Sequence, residues 1–352
     1  MRMHKWAFAI AALLALGAAA AHAADMPKGT PSVEQMADYQ GPDREQKLLA
    51  AARAEGAELS VYHVYPALTK VVAAFSKKYG IEVKPWRSSS EAVLQRVVNE
   101  ARGNRFDADV VQNNAPENEA AWREKLLMPV RSPLQAELIP EATPAHHGWV
   151  GFTIDVFIAA YNPQKLGKEE LPTSYEQLLD PKWKGKLGVE ADDSGWYGAL
   201  AALMGEQKTN RLFAQIIQKN GMSIRKGHSL LANLVASGEI PLALDTYSWS
   251  APQLKKKGGP IEIHAIEPVL AQFSTIAVLK HAKHPYTALL FYDYLLGDGQ
   301  KVLDELDFVP TSRKYDDPVR HLKLNFIDPS QAIANEDKWF KQYQSVVVAP
   351  SK

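Results

Sequence analysis

Four short stretches concentrate side chains suited to holding a ligand. Tyr62-His63-Val64-Tyr65 sets an imidazole between two phenols, and Ser88-Ser89-Ser90 places three hydroxyls ahead of Glu91. Asp192-Asp193-Ser194-Gly195-Trp196-Tyr197 and Asp245-Thr246-Tyr247-Ser248-Trp249 combine carboxylates, hydroxyls and aromatic rings. Hydroxyls and free backbone N–H groups at a helix start attract anions, so Ser88, Ser89, Ser90 and Ser194 suit a carboxylate, phosphate or phosphonate. Asp193 or Asp245 suits an ammonium group. Tyr62, Tyr65, Trp196, Tyr197, Tyr247 and Trp249 provide faces for a cation and a lining for a small organic molecule.

Each stretch also has a plain structural reading. A strand-end tyrosine is usually core, a serine or aspartate before a helix usually caps it, and Asn113-Asn114 suits a turn as well as an amide contact. His146-His147 is not expected to bind one ion, because adjacent residues on an extended chain point to opposite faces. The chain has no cysteine, no G-x-S-x-G elbow, no H-E-x-x-H helix and no G-x-x-x-x-G-K-[ST] loop. No catalytic mechanism follows from the residues, so neither enzymatic activity nor a cofactor is expected.

The elements that must carry these stretches alternate. Residues 58–62 predict a strand, and Leu68, Val71, Val72 and Phe75 recur at helical spacing. Ile81–Lys84 predicts a second strand, Ser88–Glu91 a capping box, and Val93, Leu94, Val97, Val98 and Ala101 the buried stripe of the next helix. Asp107–Val111 predicts a third strand, Gly148–Tyr161 extended apolar segments, and Lys186–Val189 and Ile240–Leu244 further strands among helices. This order predicts an α/β fold with a largely parallel sheet, and the length predicts two domains.

The first five residues carry the basic Arg2, His4 and Lys5, an apolar run follows from Trp6 to Ala20, and Ala21-His22-Ala23 closes it. That is the order of a cleavable signal peptide over residues 1–23, with cleavage after Ala23 and export to the periplasm without a membrane anchor. Residues 24–44 read as a loose leader arm. Of the 40 basic and 40 acidic residues, Arg2 and Lys5 leave with the signal. The remaining charge of −2 gives no field to draw nucleic acid or an anionic membrane.

Five segments in order, VYHVYPALTKVVAAFSKKYGIEVKPWRSSSEAVLQRV, DADVV, LPTSYEQLLDPKWKGKLGVEADDSGWYG, LLANLVASGEIPLAL with TYSWS, and AVLKHAKHPYTALLFYDYLLGDGQKVL, resemble the periplasmic substrate-binding proteins of ABC importers, specifically the ferric-iron-binding type. The resemblance implies a two-lobed type II binding fold with a cleft, crossing hinge strands, and delivery of a small ligand to an inner-membrane permease by a monomer. The lobes are expected at 45–112 plus 267–310 and at 113–266 plus 311–352.

In the ferric type, two adjacent tyrosines are phenolate ligands and a Ser-Gly turn holds the accompanying anion. Here Tyr247 matches the first tyrosine, Ser248 replaces the second, and Ser194-Gly195 matches the turn. His63 does not fall cleanly on the family's iron-binding histidine. The expected ligand is therefore a small organic anion or zwitterion. It would be held by residues among Tyr62, His63, Tyr65, Ser88, Ser89, Ser90, Asn113, Asp193, Ser194, Gly195, Trp196, Asp245, Tyr247 and Trp249. Ferric iron on Tyr247 and His63 with an external anion is the alternative, and a ligand-sensing accessory protein the second.

Overall fold

The computed structural model describes residues 26–351; the signal-peptide reading lies outside them. Twelve strands form one sheet: β1 (Glu58–His63), β2 (Glu82–Arg87), β3 (Val110–Asn114), β4 (Leu127–Met128), β5 (Val150–Tyr161), β6 (Leu187–Glu190), β7 (Ser223–Arg225), β8 (Leu242–Tyr247), β9 (Glu262–His264), β10 (Val269–Leu279), β11 (Val309–Pro310) and β12 (Leu324–Phe326). The main order is β2-β1-β3-β10-β5-β8-β6-β7. β1 runs parallel to β2 and β3, and β6 runs parallel to β7 and β8. Two parallel triplets are thus joined through the long antiparallel pair β5 and β10.

Local sequence explains the triplets. Leu68, Val71, Val72 and Phe75 are buried on the helix Leu68–Tyr79, which ends where Gly80 takes a left-handed φ of 70°. Ser89 caps the helix Ser90–Arg102, its hydroxyl accepting from the Ala92 N–H. Gly238, at φ 79°, stops the helix His228–Ser237. The third strand starts later than expected, at Val110. Asp109 is spent on connections instead, accepting from the Ser60 and His284 backbone N–H groups.

Two apolar clusters divide the molecule, and the boundary runs through β5 and β10. Val150, Phe152, Ile154, Val156 and Ile158 belong to the first cluster; Phe157, Ala159 and Tyr161, on the other face of the strand, belong to the second. The boundary expected at 113 is corrected by this: Ala115, Ala121, Leu127, Val130 and Trp149 pack with the first cluster. The chain changes lobe where it is extended and paired on both sides. The second boundary also moves, since Val319 packs in the first cluster whereas Ile327, Trp339 and Tyr343 pack in the second. A small third cluster seats the helix His228–Ser237 on β8 and β5 through Leu231, Val235, Ala243 and Ala160.

The leader arm is not loose over residues 26–44. Ser32 caps a short helix, Val33–Ala37, whose Met36 and Ala37 are buried. Arg44 is buried against Asp293 at 2.6 Å and also donates to the Met36 and Tyr39 carbonyl oxygens. A buried guanidinium needs this full set of acceptors, and removing it strands the carboxylate. Arg44→Met is therefore expected to lower unfolding free energy by about 3–5 kcal/mol in a urea titration; a loss under about 1 kcal/mol would restore the surface-arm reading.

Candidate functional site

The long strands β5 and β10 are apolar almost throughout, as strands covered on both faces must be. Four of the five polar exceptions lie together; the fifth, Thr275, accepts from Asn118 Nδ2 and donates to the Asn113 carbonyl oxygen. Asp155 pairs in register with Gln272, and Thr153 pairs with Ser274, so alternation puts all four on one face. Asp155 is buried and accepts from Ser274 Oγ at 2.8 Å and from Trp249 Nε1 at 3.3 Å. Burial raises its carboxyl to about 6. The Tyr65 hydroxyl and Thr153 Oγ1 are buried beside it, within reach of each other.

A second carboxylate group comes from the β6–β8 side. Asp245 is fully buried and accepts from the Glu190 N–H with both oxygens, at 3.1 and 3.0 Å. Glu190 in turn accepts from the Gly227 N–H at 2.7 Å and from the Asp192 N–H. Asp193 precedes the helix Ser194–Met204 and lies within hydrogen-bonding reach of the Asp245 carboxyl and of the Trp196 N–H. Burial, then repulsion from Asp245 and Glu190, holds Asp193 well above the usual carboxylate range, and burial raises Asp245 as well. The nearby His228, with Nε2 3.8 Å from Asp193 Oδ2, is kept neutral by burial, which lowers it to about 4.

Aromatic rings connect the two groups. His228 lies 4.2 Å from the Tyr247 ring, and Tyr247 stacks on Trp249 at 5.7 Å and 21°. Trp249 is also in edge contact with Tyr65. The Tyr247 hydroxyl accepts from Gln272 Nε2 at 3.1 Å. Burial, and then the Asp193 and Asp155 charges, keep this phenol strongly protonated. Among the described residues, Lys226 is the lysine whose charge acts on Glu190, and it is exposed and paired with Asp192 at 2.8 Å. Among the described residues, Arg44 is the only buried arginine or lysine, and it is committed to Asp293.

The structure therefore brings together Tyr65, Asp193, Asp245, Tyr247 and Trp249 from the expected set, with Ser194 and Gly195 half-buried beside Asp193. A Cβ added at Gly195 would meet open space, so this helix start has an accessible side. Three expected ligand residues are corrected. The Tyr62 hydroxyl donates to Glu100 at 2.7 Å while its ring meets Trp86 and Arg96, which places it under the helix Ser90–Arg102. Trp196 turns into the second cluster, between Tyr175 and Phe213. Asn113 is fully buried and spends its amide on Ser90 O and the Asn114 N–H.

The serine loop is engaged within its own lobe, Ser89 as the cap and Ser90 Oγ accepting from Asn114 Nδ2; Ser88 is half-buried, its N–H on the His63 carbonyl oxygen. His63 is buried, its Nδ1 3.1 Å from the Tyr65 carbonyl oxygen and its ring beside the Arg87 charge. His228, not His63, stands against Tyr247. His146 stacks on Trp122 and reaches Glu119 at 2.9 Å. Sequence reasoning missed Thr153, Asp155, Gln272, Ser274, Glu190 and His228. For the first four the signal is there: polar residues two apart inside apolar runs, at matching places in two strands.

The raised Asp155 carboxyl gives a pH test. Since its folded value, about 6, exceeds the unfolded value near 4, the protonated form stabilises the fold below about pH 4, and that contribution is lost as pH rises through 6. The melting temperature of the ligand-free protein should fall between pH 4 and pH 7 by more than that of Asp155→Asn, a difference on the order of 2 kcal/mol. Parallel profiles would mean that Asp155 titrates normally.

The fold and this group of residues can be set beside known proteins. The chain is 27% identical over 244 residues to the Fe(3+)-binding periplasmic protein of Serratia marcescens, a match covering 66% of this chain and 71% of that one. It is 26% identical over 272 residues to the major ferric iron-binding protein of Neisseria meningitidis serogroup B, covering 72% and 81%. Among solved structures, iron-bound HitA from Pseudomonas aeruginosa superposes with a TM-score of 0.71 at 24% identity, over 82% of this chain and 99% of that one. The periplasmic binding protein AfuA from Actinobacillus pleuropneumoniae, with exogenous fructose-6-phosphate bound, gives 0.71 at 21% identity over 83% and 98%. These neighbours share the two-lobed fold, and among the described residues no helix is long and apolar enough to cross a membrane. With residues 70–317 matching the profile of the bacterial extracellular solute-binding protein family, the chain belongs to that family.

Proposed function

We propose that the protein is the periplasmic capture component of an ABC importer and that its solute is a small organic molecule bearing positive charge, a cation or a zwitterion. One observation carries this: Asp155 and Asp193 face the Tyr247–Trp249 wall with no lysine or arginine committed to either. Buried carboxylates without a counter-charge stay protonated or attract a cation, and stacked aromatic faces add cation–π attraction. A purely anionic solute has no buried base to meet it. The Ser194–Gly195 helix start remains available to the anionic end of a zwitterion, though it shares its place with Asp193. Binding proceeds without turnover, and release to a permease follows lobe opening.

The second reading is ferric iron, which the names of the Serratia and Neisseria relatives favour. The Tyr65 and Tyr247 phenols and the Asp155 and Asp193 carboxylates are oxygen donors suited to a hard cation. Against it, Ser248 stands where the ferric type has its second tyrosine, and its Oγ is buried and unpartnered. Among the described residues no group of three His, Cys, Asp or Glu side chains is arranged to hold a metal.

Thermal shift separates the readings. Choline, propylamine or glycine betaine at a hundredfold excess over Kd would stabilise the fold by about 2.7 kcal/mol, whereas succinate would not. Tyr247→Ala should abolish that shift while leaving the ligand-free melting temperature within a few degrees. A visible charge-transfer band on adding ferric citrate, with no response to any ammonium compound, would establish iron instead.

A further inference from the structure

The two carboxylates stand at the two ends of one row of rings. From Asp193 the row runs through His228, 3.8 Å away, to Tyr247 at 4.2 Å, to Trp249 at 5.7 Å, and from Trp249 Nε1 to Asp155 at 3.3 Å. The ends differ in depth and in lobe. Asp155 lies on the crossing strand β5, 3% exposed, with the Tyr65 and Thr153 hydroxyls beside it. Asp193 lies at the start of the helix Ser194–Met204 in the second lobe, its side chain 11% exposed and against the Asp245 carboxyl.

Resting on the reading that the solute is positively charged, we infer that it carries two cationic groups, one held by Asp155 at the hinge and one by Asp193 in the second lobe, with an apolar spacer over Tyr247 and Trp249. A single ammonium would leave one buried carboxylate unmatched, and desolvating a carboxylate without a partner is costly. The neutral His228 and the Tyr247 hydroxyl add no positive charge that would compete. Glu190 and Asp245 are tied to backbone N–H groups of the β6–β8 side, whereas Asp155 accepts only from the Ser274 and Trp249 side chains, which can turn away. The spacer is apolar because rings, not hydrogen-bonding groups, line the path between the ends.

The test titrates the mature protein with α,ω-diaminoalkanes of three to eight carbons and with the matching monoamines, following melting temperature and calorimetric affinity. One diamine length is expected to bind at least tenfold more tightly than its monoamine. In Asp155→Asn and in Asp193→Asn that advantage should vanish, leaving each variant with monoamine affinity. Both substitutions keep the side-chain shape and the uncharged form that burial already favours, and the chain-length series on the unsubstituted protein decides the matter even where a variant fails to fold. Equal affinity for monoamines and diamines would overturn the two-point assignment and leave the cationic-solute reading standing. No response to either, with a ferric charge-transfer band, would remove both.

Discussion

The pairing of β5 with β10 is the interaction on which the rest depends. Each strand belongs to both lobes, so the sheet runs unbroken from β2 to β7 and the cleft has a covalent floor. A strand buried on both faces has little room for polar side chains, and register makes their few positions coincide: Asp155 with Gln272, Thr153 with Ser274. A slip of one residue would turn Asp155 to the face of Ile154 and Val156, away from Ser274. The strands that join the two parallel triplets thus also carry the buried polar residues of the candidate site.

Much of the fold could be read from spacing. The helix Leu68–Tyr79 and the strands β1, β2 and β6 follow from periodicity, which acts over a few residues; the capping box expected over Ser88–Glu91 does not form, since Ser89 caps the helix by accepting from the Ala92 N–H. The lobe boundaries could not be read this way, because they depend on which cluster a segment packs against after the chain has crossed. Arg44 illustrates the limit: an arginine amid turn formers looks solvated until Asp293, distant in sequence, is found buried against it.

The site was half legible for a related reason. Tyr247, Trp249, Asp193 and Tyr65 lie in polar stretches that end strands or open helices, where ligands of α/β proteins gather. Tyr62 has the same residue type and almost the same position as Tyr65, yet alternation sends its ring to Glu100 and Arg96 on the opposite side. Residue type does not report the face; register does. His228 follows Gly227 with no spacing signal, and only the return of its helix over β8 sets it against Tyr247.

Charge then decides what the cleft can hold. A site for an organic anion is ordinarily built with an arginine, whose fork matches carboxylate and phosphate. The site has instead carboxylates at unequal depths, Asp155 on the crossing strand β5 and Asp193 beside Asp245 at a helix start. A ligand that satisfies only Asp193 gains nothing from the hinge, whereas one that also reaches Asp155 and Tyr65 gains those contacts only where the lobes come together. Since a ligand shifts a conformational equilibrium only by its differential affinity for the two states, the contact at Asp155 is the one that favours closure.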